Sequence, residues 1–261
     1  MNNDIFLAID IGNTTIQCGI YDNDKLLTSW RLSSEVARTP DECWLLTEFF
    51  CDKAGLGSRR PSTVGVSSVV PTHTRSFTHM ARDHYSPDPL VISVDSCPFL
   101  DVQYQNPRQI GADRLCNAFA GYVHFGGPLI VLDFGTAITF DTINADGAYL
   151  GGVIIPGPKT AARSLHSRTA RLPQVSLVFP KQIIAQSTDA AIQAGLTWGT
   201  VDMIDGMIRR ISDELKAEPK VIATGGFAEP YVNRCKNVSI VYDNLVLEGV
   251  RLIFNKAREL K

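Results

Sequence analysis

The sequence predicts an α/β chain made of two similar lobes. A short apolar strand running into an Asp-x-Gly turn occurs twice, and helix-forming segments fill the stretches between and after the two copies. In the first copy Ile5 to Ile9 is continuously apolar and ends in Asp10-Ile-Gly-Asn-Thr14, the pattern of a strand running into a turn. Alternating residues follow to Tyr21, and Asp22-Asn-Asp-Lys25 closes a hairpin. In the second copy Leu129 to Leu132 leads into Asp133-Phe-Gly-Thr-Ala137, the strand resumes over Ile138 to Ile143, and Asp146-Gly147 is a hairpin dipeptide. Aligning Asp10 with Asp133 puts Gly12 on Gly135 and Asn23 on Asp146, one constant offset whose double nearly exhausts the chain. A repeat of that length predicts paired lobes rather than a solenoid. At 261 residues one large domain and two half-size domains are both admissible. The expected lobes are residues 1–118 and 119–261, each a mixed sheet flanked by helices, with a ligand held between them.

The helices follow from caps and periodicity. Thr39-Pro40-Asp41-Glu42 supplies a capping box with proline at the first helical position, and Trp44, Leu45, Phe49 and Phe50 are expected to line the buried face up to Gly55. Asp113 to Tyr122 reads as helical after Gly111, and Thr188 to Leu215 follows a capping serine or threonine with a long apolar period. Leu245 to Leu260 repeats the pattern. Lys220 to Thr224 is a short buried strand opening into Gly225-Gly226.

Composition narrows the partners. With 44% hydrophobic and 20% charged residues the chain is an ordinary globular one. Lys plus Arg at 25 against Asp plus Glu at 27 leaves a net charge of −2 and no basic stripe, which disfavours nucleic acid. The six cysteines include no C-x-x-C pair, so reduced thiols in the cytosol are expected rather than zinc or a disulfide framework. The first ten residues carry two acids and no basic region, and no apolar run approaches the roughly 18 residues of a bilayer span. A cytoplasmic protein without membrane partners is expected. The five histidines form no H-E-x-x-H and no serine sits in a G-x-S-x-G elbow, so hydrolase chemistry has no signature.

Three constellations carry chemistry. Asp10-Ile-Gly-Asn-Thr14 sets a carboxylate at a strand end, then a glycine that lets backbone amides approach a ligand. Such a turn binds phosphate oxygens through its N–H groups, while the aspartate holds hydrated Mg²⁺ on them. Alone it reads rather as a plain hairpin with self-satisfied Asp and Asn; its recurrence at Asp133 to Ala137 reverses that and favours the phosphate reading. Gly152-Val-Ile-Ile-Pro-Gly157-Pro-Lys-Thr160 approaches a P-loop, but Pro158 stands where lysine is required, so it reads as a turn at a lobe edge. Gly111-Ala-Asp-Arg114 places an acid and a base at a helix start. It is either a local ion pair or a base for a substrate hydroxyl beside an arginine for an anionic group. Arg163, Arg168 and Arg171 read as a solvated face.

These residues, together with Tyr104-Gln-Asn-Pro107, Gly151 to Gly157, Ala191-Ile-Gln-Ala-Gly195, Ala223-Thr-Gly-Gly226 and Leu247-Glu-Gly249, match in order and spacing a known family over nearly the whole chain. The sequence resembles type III pantothenate kinase, of the acetate and sugar kinase, heat-shock ATPase and actin superfamily. That resemblance implies a duplicated ribonuclease-H-like (actin-like ATPase) fold, and ATP-dependent phosphorylation of the primary hydroxyl of pantothenate on the way to coenzyme A. It implies that Asp10, Ile11, Gly12, Asn13, Thr14, Thr15, Ile16 and Gln17 form the first phosphate loop and that Thr136 touches ATP. Tyr104, Gly111, Ala112, Asp113, Arg114 and Thr188 line the pantothenate pocket, with Asp113 as the base. Asp10 meets Mg²⁺ through water, and Asp133 holds a monovalent cation, K⁺ or NH₄⁺. A homodimer is implied too; the apolar stripe of 188–215 serves such an interface or the monomer core equally well. Two departures from the family pattern, Ile138 where threonine is frequent and Ser187 where asparagine is frequent, remove no named functional group. The other readings are a related kinase acting on another small alcohol, and a non-catalytic regulatory accessory protein.

Overall fold

The computed structural model describes residues 5–260; Lys261 and the first four residues of the N-terminal segment lie outside them. In chain order the first part contains β1 (Ile5–Ile11), β2 (Thr15–Asp22), β3 (Lys25–Ser33), α1 (Pro40–Lys53), β4 (Pro61–Ser68), α2 (Pro71–His84), β5 (Leu90–Val91) and α3 (Ala112–Phe125), with short 3₁₀ turns at Val94–Ser96 and Pro107–Gln109. The second part contains β6 (Leu129–Phe134), β7 (Ala137–Ile143), β8 (Tyr149–Pro156), α4 (Pro158–Arg168), α5 (Thr188–Leu215), β9 (Lys220–Thr224), α6 (Ala228–Val232), β10 (Ile240–Val241) and α7 (Leu245–Glu259).

The predicted duplication appears as topology. One sheet has the order β3-β2-β1-β4-β5 and the other β8-β7-β6-β9-β10. In each, an antiparallel three-strand meander continues into parallel pairs through β1·β4 and β6·β9. The single offset holds for the Asp and Gly of each turn but not beyond them. Gly12 N–H closes on Thr15 O at 3.0 Å, whereas Gly135 N–H closes on Ala137 O at 2.9 Å, so the second turn is one residue shorter.

In the first unit β1 is buried on both sides because both have a cover. Leu7, Ile9 and Ile11 share a core with Cys43 and Cys51 of α1 and Phe77 and Met80 of α2. Phe6 and Ala8 pack on the opposite face with Cys116 of α3 and Val246, Leu247, Val250 and Ile253 of α7. The capping box at Thr39 forms as expected, with Thr39 Oγ1 accepting from Glu42 N–H. Of the expected face of α1, Trp44 and Phe50 pack against the core, but Leu45 and Phe49 are 59% and 57% exposed, and the fully buried stripe is Cys43, Thr47 and Cys51. Those three stand at i, i+4 and i+8, so small side chains let the helix sit close to the sheet.

The second unit has its own core, in which Ile130, Leu132 and Phe134 of β6 pack with Val201, Ile204 and Ile208 of α5 and Tyr231 of α6. Helix α5 starts and ends where the sequence places it, and Ser187 Oγ caps it by accepting from Ala190 N–H at 3.3 Å. Its stripe of Ala194, Thr197, Val201, Ile204 and Ile208 is buried within this unit. The near P-loop is a strand-to-helix connection, with Gly157 at the N-cap of α4 and Pro158 in its first turn.

The chain divides into two compact units, one running to Ala120 and resuming at Asn244, the other Gly121–Asp243. The division thus falls inside α3, and α7 joins the first unit rather than following the second lobe. The apolar face of α7 explains this, because Leu247 and Val250 fill the space over Gly19 and Gly65 of the first sheet.

Candidate functional site

In the first unit the site assembles at the C-terminal end of β1. Asp10 is a strand residue paired with Gln17 across the hairpin and with Ser67 on the parallel side. Ser67, fully buried, donates its hydroxyl to Asp10 Oδ1 at 2.7 Å, which fixes the carboxylate. Gln17 is fixed as well, its Nε2 donating to Asn244 Oδ1 at 2.5 Å. Past the strand, Asn13, Thr14 and Thr15 are exposed, as a ligand-facing turn requires.

Helix α3 brings the second acid to the same place. Its first turn carries Asp113, whose Oδ1 accepts from Arg114 N–H at 2.9 Å. One turn on, the fully buried Cys116 thiol lies in the fields of both Asp10 and Asp113 and against the Ser67 hydroxyl. Burial, and then the two acids and Cys97, push that thiol well above the ordinary range, so it stays protonated. Asp113 is itself raised, chiefly by burial, with the Arg114 backbone N–H and guanidinium pulling the other way. A Cβ at Gly111 would collide with Asp113 Oδ1, so glycine leaves that carboxylate its place. Arg114 is 7% exposed, and Ala112 is buried beside it. Tyr104 is half-buried in the irregular segment before the Pro107–Gln109 turn.

In the second unit Asp133 occupies the place of Asp10, paired with Thr139 on β7 and Thr224 on β9. Gly135 and Thr136 are exposed in the turn. Gly225, with φ of +95°, lies against Asp133 and the Phe134 backbone, an approach and a dihedral that only glycine tolerates. Thr188 is exposed in the first turn of α5. Next to the turn a cavity of about 490 Å³ is lined by residues including Lys159, Arg163, Phe179, Phe227 and Tyr231. Lys159 Nζ sits over the Phe227 ring at 3.8 Å from its centre. Arg163, Arg168 and Arg171 are all exposed as expected, Arg163 at the edge of the cavity.

Within each unit, then, the structure gathers the predicted turn residues, and in the first it brings Asp10 and Asp113 to one thiol. Sequence reasoning missed Ser67, Cys116 and Asn244. Nothing in a small-residue strand such as Pro61-Ser-Thr-Val-Gly-Val-Ser-Ser68 marks one serine as an aspartate partner.

A meander-plus-parallel unit used twice, each copy ending in a carboxylate and an exposed glycine turn, defines the actin-like ATPase fold shared by many small-molecule kinases. Two solved structures share that fold. The activator of 2-hydroxyisocaproyl-CoA dehydratase from Clostridium difficile, with ADPNP bound, has a TM-score of 0.54 at 16% identity and covers 98% of this chain and 96% of its own. The ROK hexokinase from Thermus thermophilus has a TM-score of 0.51 at 12% identity and covers 98% and 99%. The model of the type III pantothenate kinase family matches residues 6–210. The type III pantothenate kinase of Geobacter sulfurreducens is 40% identical over 255 residues, covering 98% of this chain and all of its own. That of Brevibacillus brevis is 38% identical over 252 residues, covering 97% and 99%. The chain belongs to the type III pantothenate kinase family, phosphotransferases that use ATP to phosphorylate pantothenate.

Proposed function

We propose that this chain phosphorylates the primary hydroxyl of pantothenate with Asp113 as the base, and that the observation carrying this assignment is the convergence of Asp113 and Asp10 on one buried thiol in the first unit. Phosphoryl transfer asks the protein for positioning and charge neutralisation more than for covalent chemistry. Burial raises Asp113 above an ordinary carboxylate, which brings it closer to the working pH of a general base. Asp10 to Gln17 and Thr136 serve the phosphates of ATP, and the cavity beside the second turn has a size and an aromatic, cationic lining suited to the nucleoside. Tyr104, Gly111 to Arg114 and Thr188 serve pantothenate, with Arg114 on its carboxylate.

The donor chemistry fits hard cations. Asp10 and Asp133 offer carboxylate oxygens at strand ends, and among the described residues no group of three or more His, Cys, Asp or Glu forms a metal cage. Sites of this kind hold Mg²⁺ through one carboxylate, waters and substrate phosphates. Bound there, Mg²⁺ supplies charge neutralisation on the phosphates, and K⁺ or NH₄⁺ at Asp133 adds to it. The absence of a side chain at Gly225 leaves that carboxylate its space, since a Cβ there would meet Asp133 Oδ1.

A cytosolic homodimer completes the reading. All six cysteines are free thiols, and Ile154 and Ile184 are 59% and 87% exposed, apolar surface that self-association would cover.

ADP release by the purified protein with ATP and Mg²⁺ is expected to require pantothenate and to be faster in K⁺ than in Na⁺ buffer, with Asp133→Asn removing the K⁺ advantage. Equal rates in the two buffers would overturn the Asp133 assignment. Release indifferent to pantothenate would overturn the acceptor and favour another small alcohol.

A further inference from the structure

Both hairpin turns have carbonyl groups tied back by hydrogen bonds. In the first turn Ile11 O accepts from Val69 N–H at 3.0 Å, and Thr15 O accepts from Gly12 N–H at 3.0 Å. The other two bonds come from one residue, Ser34, which follows the last residue of β3. Its N–H donates to Thr14 O at 3.0 Å, and its hydroxyl donates to Gly12 O at 2.7 Å. Ser34 is held in turn from behind, its carbonyl lying 2.8 Å from Nε2 of the buried His73.

In the second turn the N–H contact recurs on the counterpart of Thr14 O, and a hydroxyl joins it on that same oxygen rather than on the counterpart of Gly12 O. Gly157 follows β8 as Ser34 follows β3, and its N–H donates to Thr136 O at 3.0 Å. The hydroxyl comes from Thr160, one turn into α4, and reaches the same oxygen at 2.6 Å. The two turns differ in length and in sequence, so no shared motif imposes this recurrence.

A trans peptide points its C=O and the next N–H in opposite directions. Holding Gly12 O back therefore turns the Asn13 N–H outwards at an exposed position, and holding Thr136 O back does the same for the Ala137 N–H. A carbonyl oxygen left to swing outwards would instead present negative charge to an anion. We propose that Ser34 and Thr160 are positioning residues for the nucleotide, each hydroxyl holding back a carbonyl of its own turn, Gly12 or Thr136, so that the turn presents N–H groups to phosphate. The proposal rests on the reading that these turns bind the phosphates of ATP.

The test pairs kinetics with hydrogen exchange. Ser34→Ala and Thr160→Val, each removing one hydroxyl, are expected to raise KM for ATP and weaken ADP·Mg²⁺ binding by calorimetry roughly 3- to 10-fold, the worth of one neutral hydrogen bond. KM for pantothenate and Tm stay near the wild type, and Ser34→Thr, which keeps a hydroxyl, restores ATP affinity. ADP·Mg²⁺ protects residues 12–15 from exchange in the wild type. If both hydroxyl-free variants bind ADP as the wild type does while residues 12–15 are protected, the positioning role is overturned and the phosphate reading stands. If residues 12–15 gain no protection, that reading fails and the proposal with it. If Ser34→Thr is as impaired as Ser34→Ala and both substrates and Tm suffer together, Ser34 is only structural and the proposal is overturned.

Discussion

Asp113→Asn is expected to lower kcat by about 10²- to 10⁴-fold, the usual worth of a general base, and at the same time to raise the thermal stability of the protein at neutral pH. The second effect follows from the direction in which Asp113 is perturbed. Burial raises it and outweighs the Arg114 backbone N–H and guanidinium, so the folded state binds the proton more tightly than the unfolded chain. A carboxyl raised in this way favours the fold when protonated, and that advantage is lost as pH rises through the unfolded value towards the folded one. At neutral pH the ionised carboxylate is a net cost, which asparagine removes while its Oδ1 still accepts the Arg114 N–H. The Tm difference between variant and wild type is therefore expected to be positive at pH 7 to 8 and to shrink as pH falls towards the ordinary carboxylate range. Scanning calorimetry across that range checks it. A variant that is inactive and also less stable at pH 7.5 would mean that Asp113 is a structural ion-pair partner of Arg114.

Gly249→Ala is expected to be the most damaging single-methyl change in the first unit. A Cβ at this position would overlap the carbonyl and Cα of Cys116, because α7 crosses α3 there with backbone against backbone. Overpacking typically costs about 1–3 kcal/mol where side chains can yield; here the obstacle is main chain, so the upper end or beyond is expected. Since Cys116 is one turn from Asp113, the shift also moves the base, and residual folded enzyme should show a depressed kcat. Urea unfolding and kinetics on the same sample check both parts. A variant with unchanged midpoint and unchanged kcat would show that the crossing has slack and does not set the position of α3.

The fold was legible where one residue type enforces one geometry. The glycines of the two hairpin turns, the capping box at Thr39 and the serine before α5 each satisfy backbone groups locally, so their reading needed no knowledge of neighbours. The buried face of α1 was misread because apolar content pointed to Leu45 and Phe49, whereas the sheet accepts the smaller Cys43, Thr47 and Cys51. The place of α7 was invisible for a related reason, since its partners Phe6, Gly65 and Cys116 are far away in sequence and Gly249 fits only against a particular backbone. The acids of the site were legible through their turns. The groups that hold them were not, because Ser67 on Asp10, Asn244 on Gln17 and Ser34 on the first turn are ordinary polar residues whose value lies in where the sheet and helix ends place them.

The central claim, transfer of the γ-phosphoryl group of ATP to pantothenate with Asp113 as base, is tested most directly by following the products of one reaction by phosphorus NMR and mass spectrometry. With ATP, Mg²⁺, K⁺ and pantothenate the wild type should form ADP and a pantothenate phosphate monoester in equal amounts, and Asp113→Asn should form both far more slowly. Either no phosphorylated pantothenate from the wild type, or the same rate from the Asp113→Asn variant, would contradict the account.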